Sequence, residues 1–444
     1  MAGDALYDTS GTYTTKASMP ENLKIVYENG AAKQFEETNT FWSWVLRNKK
    51  KYTGKQRSFV IRRQQGGNFI VVGEDGYARS PTRRDWIPGY QTVSGYQLYT
   101  IGESIPNMEN AKNGDGQFED MDAELAEEAT NNMQWHLSRQ WLGKGDCVLC
   151  KIAAGAVATN TNDVTITVDT TVYAKTTWHM RVGDDISFFA GLTGNGAVDG
   201  GSTIYTTKIT AIPSSTTFTV AHTPTEDVNA YYVTFNGNRD YVSATDYFRE
   251  IDGLMKAANT SAIFENINPA TTGQNIWKGV SIANSGTKRD FDPSYIYQGV
   301  ARIGRNGGDV DFLFCSPEMV EIWNQVMASQ VRIGSSEVGT INYETPKLRM
   351  PSFKGGSKKT IVLSPEMDRL MPPGKFFMGD STELGALVEI EFKFLDEKLM
   401  TRIPRSLMKE GQLCFAGNLY LTRRNVFGVA DDFKYTLLDS DFNS

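Results

Sequence analysis

Apolar residues return along positions 118 to 141 at one step of three and then at steps of four: Phe118, Met121, Leu125, Ala129, Met133, Leu137 and Trp141. That is the helical period, and it predicts one long helix over 117–142. Each step of four overshoots a full turn by about 40°, because a helix advances about 100° per residue. The stripe therefore winds around the rod, which suits a helix that touches different elements along its length. Acids crowd its first turns, Arg139 and Lys144 stand near its end, and Gly143 is placed to cap it, as the helix dipole favours.

Upstream the pattern is different. Residues 1–20 are rich in Thr, Ser and Gly without periodicity and read as an arm that orders only against another surface. "AKQFEETNTFWSWVL", 32–46, reads as a short amphipathic helix ending in the basic cluster "RNKKK". "RSFVIRRQ" and "NFIVVG" read as strands around Gly66 and Gly67, with "YQTVSGYQLYTIG" as a return strand.

Downstream, "DVTITVDTTVYA", "DDISFFAG", "STIYTTKITAI", "TTFTVAHT" and "NAYYVTFNG" are short Thr, Val, Ile and Tyr runs between turn residues. They predict an all-β sandwich or small barrel. "ATDYFREIDGLMKAA" resumes a helical period at 244, so the β segment reads as an insertion. Beyond 260, "DPSYIYQGVARIGRNG" reads as a helix ended by Gly307 and Gly308, "DVDFLFCS" as a buried strand, and "SPEMVEIWNQVMASQ" as a helix with Ser316 as N-cap. "KTIVLSP", "GKFFMGD", "ALVEIEFKFLDEKLMTRIPR" and the closing "GQLCFAGNLYLTRRNVFGVADDF" add strands. Without regular βαβ alternation, the class is α+β.

Composition adds bounds. At 444 residues, with 22% charged and 40% hydrophobic, the chain has room for one to three ordinary globular domains. The net charge of −7 argues against a surface coated in nucleic acid, while leaving room for local basic patches. One such patch spans 47–84, which holds eleven Lys or Arg against Glu74 and Asp75. A ribbon so poor in large apolar residues makes no core of its own and must lie on another surface, with an acidic one favoured. The start "MAGDALYDTSGTYTT" lacks a basic-then-apolar leader pattern, and no run approaches the roughly 18 apolar residues of a membrane span. The expected compartment is a cytosol.

Candidate chemistry is thin. Cys147 and Cys150 form a C-x-x-C, but Cys315 and Cys414 are too far apart to complete a zinc ribbon, so buried small side chains are the favoured reading. Of the three histidines, His136 lies on the long helix, where a di-iron pattern needs Glu three residues earlier and finds Met133. Glu119, Asp120, Asp122, Glu124, Glu127 and Glu128 point around the helix rather than converging as metal ligands must. "GLTGNGAVDGG" has Asp199 at the third glycine position of a dinucleotide loop, and "GVSIA" ends in Ala283 where a nucleophile elbow needs glycine. The aromatics among arginines in "YARSPTRRDWIPGY", 77–90, suit an anchor on a neighbouring protein better than a stack for single-stranded bases. No enzyme, cofactor or metal is expected.

The order of these elements resembles the major capsid proteins of tailed bacteriophages, the HK-ninety-seven-like fold that encapsulins share. The residues that carry it are the arm, the basic ribbon, the long helix, "GLMKAA", "SYIYQGVARIGRNGGDVDFLFCSPEMVEIW" and the late pair "LMTRIPRSLMKEGQLCFAGNLYLTRRNVFGV". The resemblance implies an N-terminal arm at 1–46, an extended loop at 47–112 and a peripheral domain with spine helix at 113–146. An inserted β domain follows at 147–242, an axial domain at 243–400 and strands returning to the peripheral domain at 401–444. It implies pentamers and hexamers closing into an icosahedral head around double-stranded DNA, assembled in a bacterial cytoplasm with no membrane. A scaffolding protein, a portal and a decoration protein are the partners it allows. The inter-subunit contacts it implies are Arg57, Arg62, Arg63, Arg79, Arg83, Arg84 and Trp86 of the ribbon against the helix acids, Glu119 to Glu128. An isopeptide weld needs an extended-loop lysine, and none occurs between Lys55 and Lys112, so none is expected. The alternatives are an encapsulin compartment, a carboxylate or metal enzyme, and a carbohydrate-binding β insert using Trp178, Tyr231 and Tyr232.

Overall fold

The computed structural model describes residues 40–51, 57–64, 71, 83–92, 95–104, 121–155, 157–169, 177–190, 205–225, 227–237, 239–240, 247–328, 347–351, 360–395, 401–404 and 406–435. The arm at 1–20, the first part of the 32–46 helix, "NFIVVG" apart from Val71, Phe118, and the glycine-rich "GLTGNGAVDGG" lie outside them.

The contacts divide the chain into two groups. The first takes Tyr96–Leu137 and Val388–Gly417. In it the strand Gln97–Ser104 runs antiparallel to Met408–Leu421, with Gln97 opposite Phe415 and Ser104 opposite Met408. The helix Met121–Leu142 supplies Asn132, whose Nδ2 donates to the Tyr99 hydroxyl at 3.2 Å. His136 lies 6.4 Å from the Tyr99 ring and edge-on to Trp135 at 4.9 Å.

The second group holds Thr40–Gly95, Ser138–Leu387 and Asn418–Ser444. Its centre is a five-stranded mixed sheet in the order Val280–Ile282, Phe427–Ala430, Phe376–Gly379, Phe312–Cys315, Glu366–Met367. Phe312–Cys315 and Phe376–Gly379 are buried at every position, as continuous apolar runs covered on both faces should be. The helix Pro293–Arg305 starts where the Asp292 carboxylate accepts from Ser294 N at 2.7 Å with Pro293 in the first turn. Its buried side is Ile296, Gly299, Val300 and Ile303. The helix Thr40–Val45 docks by aromatic edges, Phe41 on Phe314 at 5.4 Å and Trp44 on Phe312 at 4.9 Å.

The Thr-rich segment forms a six-stranded sheet in the order Cys150–Lys151, Tyr232–Phe235, Asp185–Phe189, Thr206–Ser214, Thr217–His222, Asn162–Thr167, every pairing antiparallel. Its ends meet: Ile152 bridges Val168, and Asp169 N donates to Lys151 O at 2.7 Å. The sheet thus closes on itself around Ile166, Ile186, Phe188, Ile209, Phe218, Val220 and Val233, all 1% exposed or less.

Several expectations change. The ribbon's return strand is Asp85–Gln91, while Gln97–Ser104 pairs with Met408–Leu421; the Pro88-Gly89 pair masked a strand that the open edge of a two-stranded ribbon tolerates. The helix expected from 244 runs only from Leu254 to Ala258, because Tyr247–Phe248 pairs with Arg239–Asp240. A Cβ on Gly253 would stand 2.5 Å from the carbonyl oxygens of Gln140 and Gly143, so that approach admits only glycine. Gly143 directly follows the long helix, its N donating to Gln140 O at 3.0 Å, and the first left-handed residue comes two places later at Gly145, φ 68°. Arg139 stands in the last turn of the helix, as expected, and is buried there against Glu250 and over the Phe235 ring. Ser316 stands at its cap position, but its Oγ is buried with no partner among the described residues, and its backbone carbonyl receives Met319 N and Val320 N.

Candidate assembly surface

The ribbon of Arg57–Gln64 and Asp85–Gln91 is built on a tight turn far along the chain. Glu265 and Asn266 both take positive φ, 52° and 58°, and Phe264 and Ile267 exchange backbone hydrogen bonds across them. Two consecutive left-handed residues make a type I′ hairpin turn, which ordinarily favours Asn-Gly or Asp-Gly. Glutamate is strained there, and its contacts explain the placement. Its backbone carbonyl receives Tyr90 N at 3.1 Å, and its Oε1 receives Leu421 N at 3.0 Å. Burial pushes the Glu265 carboxyl up to about 8, against the opposing pull of Leu421 N, Arg57 and Arg424.

Arg424 locks the layer beneath. It is fully buried, and its guanidinium donates to the carbonyls of Lys256, Ala257, Asn259, Ala262 and Trp277. These carbonyls lie at the end of the Leu254–Ala258 helix and in the loops beside it, where helices leave acceptors to be satisfied. Burial lowers the Arg424 pKa to about 10, which still leaves the cation charged at neutral pH.

On this base the strand pleat sorts the ribbon into two faces. Phe59, Ile61 and Ile87 pack with Ile267 and Trp277. Gly89 sits where a Cβ would come within 2.7 Å of the Phe59 ring and 2.8 Å of Ile267 Cδ1, so a side chain there would have to push both aside. The alternate positions look outward: Val60 is 62% exposed, Trp86 43% and Tyr90 37%. Arg62 lies over the Trp86 ring at 5.4 Å. The ribbon does lie on another surface, as its composition requires, but that surface is an apolar layer of its own chain.

The predicted contact residues therefore separate. Arg62, Arg83, Arg84 and Trp86 are exposed. Arg63 pairs with Asp85 at 3.0 Å, both about half exposed. Arg57 turns inward over the Tyr420 ring at 4.3 Å and is committed to its own chain. Arg79, Glu119 and Asp120 lie outside the described residues; Asp122 and Glu124 are in the helix, but their side chains lie outside the description. Glu127 and Glu128 are exposed on the helix. Val60 and Tyr90 were missed by sequence reasoning, although the alternation in "RSFVIRRQ" and "DWIPGYQ" carries the signal.

Cys147 and Cys150 are buried thiols pushed up by desolvation, poor nucleophiles and poor ligands. Among the described residues no group of three or more His, Cys, Asp or Glu is arranged to hold a metal. Lys151 lies over the Tyr232 ring at 5.7 Å, and the Trp178 side chain lies outside the description.

No family model matches the sequence, and no curated protein sequence matches it. Among solved structures, a chain of the cyanophage A-1(L) capsid asymmetric unit is similar over 92% of this chain and 96% of its own, with a TM-score of 0.53 at 10% identity. Looser likenesses join the capsid of the native GTA particle, at 6% identity over 94% and 99% with a TM-score of 0.46, and the SrpI encapsulin complex of Synechococcus elongatus, at 8% over 94% and 97% with 0.43. The fold assignment rests on the first: the chain has the α+β capsid fold that its element order resembles.

Proposed function

We propose that the chain is the repeating subunit of a bacteriophage head, forming pentamers and hexamers that close into an icosahedral shell around double-stranded DNA. The observation that carries this reading is the end-to-end likeness to a cyanophage capsid chain, 92% of one and 96% of the other. The mechanism is geometric: one fold repeats symmetry-related contacts whose rotations close. Each contact should bury on the order of 1,000 Å² or more.

The outer face of the ribbon, with Val60, Arg62, Trp86 and Tyr90, is the surface offered to a neighbour. The acidic first turns of the long helix, Glu119, Asp120, Asp122, Glu124, Glu127 and Glu128, are its seat. A guanidinium over an indole ring keeps N–H donors free for carboxylates, so Arg62 can serve both. The closed six-stranded sheet belongs to an inserted domain at 147–242, and an insertion of that size favours a phage head over an encapsulin compartment.

The test is negative-stain imaging of the full chain with and without a scaffolding protein. Closed shells are expected, and DNA rather than a cargo enzyme within native particles; unassembled protein under both conditions overturns the reading. The Arg62→Glu, Trp86→Ala variant is expected to stay a folded monomer by circular dichroism and to form no shells. Normal shells from it refute the ribbon-to-helix pairing.

A further inference from the structure

A cavity of about 440 Å³ opens where the loop 275–281 meets the end of the helix Pro293–Arg305. It lies within the range of about 300 to 1,000 Å³ typical of small-ligand sites. Three cations line it, Lys278, Arg302 and Arg305, together with Asn275, Asn306 and Asn425. No carboxylate does. Among the described residues none of the three cations has an ion-pair partner; Arg302 donates to Ser281 O at 2.9 Å and keeps further N–H groups free.

The walls are held in place. Arg424 holds Trp277 by its carbonyl, one residue before Lys278. Gly279 packs so closely on the Leu254–Ala258 helix that a Cβ would stand 2.3 Å from Ala258 O. Asn306 Nδ2 donates to Asn425 O at 2.8 Å and joins the two sides. Arg302 and Arg305, three residues apart on one helix, stand on the same face. Basic side chains in a last helical turn answer the helix dipole, but that does not account for Lys278, which comes from another segment and faces the same space.

We propose that this cavity binds phosphate groups, supplied by a nucleic-acid strand or by a free nucleotide. Two planar guanidinium forks and a point-charge ammonium facing one cavity match the tetrahedral oxygens of phosphate. The site stands on its own lining; only a packaged genome as the source rests on the shell reading.

The experiment uses the unassembled full-length chain, so that failure to form shells does not affect it. A labelled short DNA duplex and a labelled ATP analogue are titrated separately by fluorescence anisotropy at low salt, with inorganic phosphate as competitor. The Lys278→Ala, Arg305→Ala variant is expected to weaken binding at least tenfold and to flatten the salt dependence of log K by about two, one per lost contact. Both side chains are exposed, so the fold should be retained, and Lys278→Ala alone gives a smaller shift in the same direction. Lys208→Ala with Lys393→Ala removes the same charge elsewhere and is expected to change little. ATP binding without duplex binding identifies a free nucleotide as the source. Three results overturn the proposal: no binding of either probe, equal loss in the control pair, or displacement of both probes by a peptide of residues 119–128.

Discussion

Glu265 shows how one residue couples local strain to solution behaviour. Its carboxyl is held at about 8, above its ordinary 4.5, because burial penalises the charged form. Between those two values the folded chain keeps a proton that the unfolded chain has lost, so stability falls as pH rises through the window and levels off above it. The slope approaches about 1.4 kcal/mol per pH unit if this group alone sets it. Glu265→Gln keeps an acceptor for Leu421 N and removes the titration, so its urea midpoint is expected to vary less between pH 5 and pH 8 than that of the parent. Equal variation in both proteins would assign the dependence to other groups. Neither this role nor that of Arg424 was legible in the sequence, because Glu265 meets Leu421 and Arg424 meets Lys256 across more than 150 residues of chain. Nothing local marks either residue.

At the scale of elements, legibility followed period. The long helix, the Thr-rich strands and the buried "DVDFLFCS" strand could be read because one repeat ran unbroken through each. The ribbon's second strand could not, since Pro88 and Gly89 look like a turn, and the segment at 244 mixed Tyr-Phe strand texture with an Ala-rich helix. Gly89 is the ribbon's tightest point. Gly89→Val is expected to cost about 1 to 3 kcal/mol by overpacking Phe59 and Ile267. Hydrogen exchange should locate the damage: faster exchange at Tyr90 N, which Glu265 O accepts, with the Phe312–Cys315 strand unchanged. Uniform acceleration across the chain would show that the ribbon is not a separable element.

For the whole molecule, the absence of lysine between Lys55 and Lys112 predicts that the proposed shell is held by non-covalent contacts alone. Boiled and reduced particles should run as one band of subunit size, and a ladder of multimers would contradict this. Which arginines the ribbon exposes was only half legible: composition marked the ribbon as basic, while the pleat decided that Arg62 faces outward and Arg57 inward. The two-faced ribbon has a further consequence. Its inner side is satisfied by Ile267 and Trp277 of the same chain before any neighbour arrives, so joining a neighbour demands little new ordering and leaving one demands no unfolding. In the proposed shell, a copy that docks in the wrong register can let go intact and try again, which is the property such a growing closed surface needs if early mistakes are to be corrected rather than sealed in.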